Sequence, residues 1–239
     1  MAIAELPRQA LPAEEFLQEL EDLRRSYLHG KTLRPRRTPS SKEEVIEAKR
    51  RKHLGGAVHN HKFVGEKYLN AEDKILRRMN LRKMVDECGQ TAVGVGLPSH
   101  PTLARWGSHE FGLTDEEIDR LEKEDMPGDS FVWQVTKVGL HRTCHWAVAI
   151  AMSLVGEGEK LRPEIRQQLL DHIEELKKSY GEMGVGNVER ALAFEIEHAG
   201  IDVDHAEIAV TVVRKFINTP ELQDELRRAY VLTLQQGLA

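Results

Sequence analysis

ALAFEIEHAGIDVDHAEIAVTVV, residues 191–213, decides how this chain is read. Within it His198, Asp202 and His205 fall at i, i+4 and i+7. Each residue of an α-helix turns the chain by about 100°, so Asp202 lies about 40° to one side of His198 and His205 about 20° to the other. All three side chains therefore leave one narrow face, spread over two turns. Asp204 points well away from that face, and Glu207 lies nearly opposite. A solvated helix surface accounts for one histidine. It accounts poorly for two imidazoles and a carboxylate in this order, all of them metal-ligand types. Gly200 is the weak residue of the stretch, because glycine disfavours a helix interior.

Outward from this stretch the periodicity stays helical, and strand signals are nearly absent. PAEEFLQELEDLRRSYLHG (12–30) reads as an amphipathic helix closed by Gly30. Residues 41–69 read as one long helix or two, broken near Gly55 and Gly56, and 70–89 run from an Asn70 cap to Gly89. After a glycine-rich connection, 100–112 form a short helix, and Thr114 with Glu117 gives the next one a capping signature. Residues 131–160 are expected as one long apolar helix, and 162–181 follow with Pro163 in the first turn. The stretch 187–218 carries the His/Asp/His stripe, and 219–236 close the chain, with Thr219 as cap. The expectation is an all-α fold, one domain over 1–239, with residues 1–11 mobile.

Composition narrows the function. Hydrophobic residues make up 40% of 239, enough for a core, and no apolar run is long enough to span a bilayer. The start lacks the basic and apolar regions of a secretory signal. Cys88 and Cys144 are too few for a disulfide framework, which suits a reducing cytoplasm. Neither has zinc-type spacing, and buried, inert thiols are expected. A net charge of -5 argues against a general nucleic-acid binder. The basic run RPRRTPSSK (34–42) reads as a solvated linker before a helix that begins near Ser41.

Three ligands on one helix leave a metal centre incomplete, and bundles finish such sites with Glu and His from facing helices. Glu87, followed by His100, is one source. Glu157 and Glu159, at the tail of an otherwise apolar helix, are the other. Acids there oppose the helix dipole, and a bound cation would offset that cost. The two glutamates are two residues apart and point about 160° from each other on a helix, so only one can face the stripe. His59, His61, His141, Arg142, His145 and Trp146 are weaker candidates for ligation or substrate contact.

Taken in order, Glu87, HPTLARWGSHEFGLTDEEI (100–118), the Glu-x-x-x-Pro-x-Ile run from Glu159 to Ile165, the stripe 198–205 and TPELQDELRRAY (219–230) resemble the heme-oxygenase-like diiron oxidases. These are relatives of pyrroloquinoline quinone synthase and of thiaminase II. The resemblance covers roughly residues 60–237, and its most specific motif is the His/Asp/His stripe. It implies a seven-helix bundle, two Fe(II) ions per chain and dioxygen as co-substrate. By that resemblance Glu87, His100 and His205 serve one iron, and His198, Asp202 and one glutamate of the pair serve the other. The spacing to Pro163 favours Glu159, with Glu157 as the alternative register. Imidazole and carboxylate donors suit iron or manganese.

The expected function is oxygen-dependent oxidation of a small amino acid, amine or carboxylic acid: N-oxygenation, desaturation, oxidative decarboxylation, C–C cleavage or nitrile formation. Two alternatives stand beside it. One is a metal-free relative, a quinone-synthase-like oxidase or a thiaminase-like hydrolase; the other is a non-enzymatic helical binding protein. The expected partners are the small-molecule substrate and, if the chain self-associates, a second copy in a homodimer.

Overall fold

Phe16, Leu20 and Arg24 share one stripe of the first helix, and all three are buried. A cation at the third position of an apolar stripe needs a buried partner, and Glu159 supplies it. The computed structural model describes residues 9–27, 37–55, 71–78, 81, 84, 98–124 and 126–237. The helices that build the core and position the site are α1 (Ala13–Tyr27), α2 (Lys42–Gly55), α3 (His100–His109), α4 (Asp115–Lys123), α5 (Gly128–Thr143), α6 (Trp146–Ala151), α7 (Leu154–Glu157), α8 (Pro163–Glu182), α9 (Val188–Ala191), α10 (Ala193–Phe216) and α11 (Pro220–Gly237). A 3-10 turn, Gly158–Leu161, joins α7 to α8. The described residues form an all-α bundle, and none of their helices is long and apolar enough to cross a membrane.

Caps set the helix starts where the sequence places them. Ser41 Oγ accepts from the Glu44 amide at 3.2 Å, and Ser99 Oγ accepts from the Thr102 amide at 3.2 Å. Thr114 caps α4 through the Glu117 amide, also at 3.2 Å. The Glu117 carboxylate is not spent on the cap; it pairs with Arg50 of α2 at 2.7 Å and so ties α4 to α2. Gly112, at φ 91°, lets the chain turn sharply out of α3 in a conformation other residues avoid.

Two expected helices are divided. The run 131–160 breaks at Cys144, which is extended, and His145 Nδ1 then caps α6 by accepting from the Ala147 amide at 3.2 Å. Every residue of α6 is buried. The chain kinks again after Met152 and tightens into the 3-10 turn. The stretch 187–218 is likewise split at Leu192, between α9 and α10.

α10 lies across the bundle with an apolar cluster at each end. Ala191 and Leu192, just ahead of it, pack with Val45, Phe111, Ile118 and Tyr180. Ala209, Val212 and Val213 pack with Phe16, Leu20, the α6 residues and Leu226. The polar stripe falls between these two supports. α1 is held against α11 by Arg227, which grips Glu19 at 2.6 Å. Leu11, in the stretch expected to be mobile, is tied at both its amide and its carbonyl to the buried Gln223, at 2.9 and 2.8 Å.

Candidate metal centre

The stripe on α10 forms as its spacing implies. Asp202 and His205 are buried, His198 is mostly so, and Asp204 and Glu207 are exposed. Gly200 does not interrupt the helix. His198 Nδ1 donates to the Phe194 carbonyl at 3.0 Å, which leaves Nε2 as the ring's electron-pair donor. Burial pushes its pKa down to about 4, so the imidazole is neutral at neutral pH, the form that binds a metal.

Two partners reach the stripe from other helices. His100, the first residue of α3, is 2% exposed, and its ring centroid lies 4.3 Å from that of His198. Phe194 completes the stack at 3.9 Å from His198. Glu157, which ends α7, places Oε1 3.8 Å from His205 Nδ1, and Asp202 Oδ1 lies 3.8 Å from the same nitrogen. Ligand atoms of Glu157, Asp202 and His205 all lie within 4.8 Å of one another.

This grouping bears on the choice between the two glutamates. Glu157, not Glu159, faces the stripe. The helix ends at Glu157, and the next carboxylate, on the 3-10 turn, meets Arg24 of α1 at 2.6 Å. Arg24 is also held by both oxygens of Glu21. Glu157 groups with Asp202 and His205, while the His100 ring stands beside His198. Glu87, His59, His61 and Cys88 lie outside the described residues.

Lys160 joins the site without any local signal for it. Its ammonium is buried and donates to Asp202 Oδ2. A lysine in the turn after a helix reads as a solvated complement to the dipole, and nothing in its neighbourhood distinguishes this one. Glu195, one turn before His198, is equally unmarked. Burial works against its carboxylate, but Lys52 and Lys49 of α2 outweigh that and hold it below the usual range. Lys52 sits 3.0 Å over the Phe194 ring, which walls His198 on that side.

Two of the weaker candidates have structural roles, and two others are placed only by their burial. His145 is an exposed cap, Trp146 packs edge-on against Phe216 at 4.9 Å, Arg142 is exposed and His141 is buried in α5. Burial, with Glu225 adding to it, pushes the Cys144 thiol up to about 11. A cleft of about 670 Å3 opens between α1, the 3-10 turn and the far side of α10, and none of the donor residues lines it.

No protein-family model matches the chain, and no curated protein matches it in sequence. A solved structure does. The crystal structure of a TenA homolog from Pseudomonas syringae pv. tomato str. DC3000 superposes with a TM-score of 0.57 at 13% identity, covering 99% of this chain and 94% of that one. The all-α fold of this chain is thus similar to that of the TenA homolog.

Proposed function

We propose that the chain is a non-heme iron oxidoreductase that uses dioxygen to oxidise a small amino acid, amine or carboxylic acid. The carrying observation is the donor group: Glu157, Asp202 and His205 within 4.8 Å, on a stripe that continues to a neutral His198. Carboxylate and imidazole donors without thiolate suit iron or manganese. Glu157, Asp202 and His205 would hold one ion, and His198 with His100 would contribute to a second. Ferrous ions bound there would supply the electrons for dioxygen reduction.

The chain's own residues support that role. Phe194 shields His198 while its carbonyl fixes the ring. The His100 ring, edge-on to Phe194 at 5.6 Å, keeps bulk water from that side. Glu157 and Asp202 set a negative potential that would draw a divalent cation inward.

Likeness to a TenA homolog favours a second reading, metal-free hydrolysis. That chemistry needs an activated nucleophile; among the described residues the only cysteine is Cys144, whose thiol burial pushes up to about 11, and Cys88 lies outside them. Anaerobic loading with Fe(II), followed by metal analysis and an oxygen-electrode trace, separates the readings. Up to two irons per chain and oxygen uptake are expected, with less iron and no uptake in Asp202→Ala. A protein that refuses iron yet cleaves a thiamin-type substrate would establish the hydrolase.

A further inference from the structure

The Lys160 ammonium donates to Asp202 Oδ2, on the same carboxylate whose Oδ1 lies 3.8 Å from His205 Nδ1. Two carboxylates, Glu157 and Asp202, are brought together beside His205 in a part of the bundle that excludes most water. Like charges so placed repel, and burying them uncompensated is strongly unfavourable. Lys160 supplies one positive charge from within the chain.

The way this lysine is mounted matters. It stands on the 3-10 turn between α7 and α8, and its neighbour Glu159 points the other way, into the buried pair with Arg24. Adjacent residues thus grip α10 on one side and α1 on the other. The turn would remain anchored through Glu159 if Lys160 let go. A lysine stem is long and flexible and carries a compact charge, so the head can leave without moving the backbone.

From this we infer that Lys160 is a tethered counter-ion that competes with metal for Asp202. The inference rests on the metal-site reading above. An ammonium in contact with Asp202 Oδ2 and a divalent cation shared by Asp202, Glu157 and His205 would be like charges a few ångströms apart. At low effective dielectric such a contact is strongly repulsive. The two occupancies therefore exclude each other. In the metal-free protein the lysine keeps the carboxylates from springing apart and so preserves the geometry of the site. On loading it swings out, still as the ammonium, and metal affinity is lowered by the cost of displacing it.

The test uses the full chain and Mn(II), whose free ion is read directly by its paramagnetic resonance signal. Wild type, Lys160→Met and Lys160→Gln are titrated, with Asp202→Asn as the control that removes the shared ligand. Both lysine variants should bind Mn(II) about tenfold or more tightly than wild type, as expected for removal of a buried competing charge. Their metal-free forms should melt lower and recover on adding Mn(II). A second measurement needs no variant: Lys160 of the wild type should react slowly with an amine-acetylating reagent when metal-free and faster when loaded, read by peptide mass spectrometry. Equal or weaker binding in the lysine variants, or labelling indifferent to Mn(II), overturns the counter-ion and leaves the metal site standing. Failure of every protein to bind Mn(II) or Fe(II) overturns both.

Discussion

The Arg24 guanidinium meets the Glu159 carboxylate at 2.6 Å with each side chain only 2% exposed, joining α1 to the turn ahead of α8. Removing one partner of such a pair strands a buried charge. Arg24→Met is expected to cost about 3–5 kcal/mol. The double variant Arg24→Met, Glu159→Leu should recover a large part of that loss, because neither charge remains. Urea unfolding of the two single variants and the double variant tests this, and strictly additive losses would count against the pairing.

Commitment of Glu159 to Arg24 separates the two glutamates functionally. Glu157→Gln should lower the iron retained after anaerobic loading and desalting, whereas Glu159→Gln should keep it and lose stability instead. The opposite pattern would return the ligand role to Glu159.

His198 gives the metal-free protein a defined acid sensitivity. Its folded pKa of about 4 lies below the value near 6.5 expected for the unfolded chain. Between those values the unfolded state binds the extra proton, so stability is full above pH 6.5 and falls as pH drops towards 4. The loss is of order 2–3 kcal/mol. Wild type minus His198→Gln, followed by urea unfolding across pH 4–8, isolates this term, and a difference that does not vary with pH would remove it.

Two glycines should respond oppositely to alanine. A Cβ on Gly107 would come within 2.7 Å of the Ala191 carbonyl oxygen and of Lys49 Nζ, and the backbone oxygen cannot yield as a side chain can. Gly107→Ala should destabilise by about 1–3 kcal/mol. Gly200 lies within α10, and a methyl there would meet nothing within 4 Å, so Gly200→Ala should stabilise by about 0.5–1 kcal/mol. Thermal melts read both, and a destabilised Gly200→Ala would mean that the helix needs its glycine.

Much of this architecture is legible in the residues. Periodicity marks the helices, Thr114 and Ser41 mark starts, and the spacing of His198, Asp202 and His205 places them on one face. Uniform helix through 131–160 is where the sequence misleads. His145 caps through a ring nitrogen, a signal that composition does not announce. Glu159 is taken up by Arg24, a partner far away in the chain, which leaves Glu157 beside the stripe. Lys160 and Arg24 are invisible for a related reason. A charge is judged buried only once its distant partner is known, and Asp202 is 42 residues from Lys160.

The placement of α10 between two apolar supports divides its stripe into two kinds of position. Ala191 and Leu192 anchor one end and Ala209, Val212 and Val213 the other. His198 and His205 are imidazoles rather than carboxylates, so a library confined to those two sites should retain helical content in most members while metal preference changes. Glu195 and Asp202 are bound to Lys52 and Lys160, and a change at either strands a buried or half-buried cation unless its partner changes with it. Variation at those two sites is therefore expected in pairs.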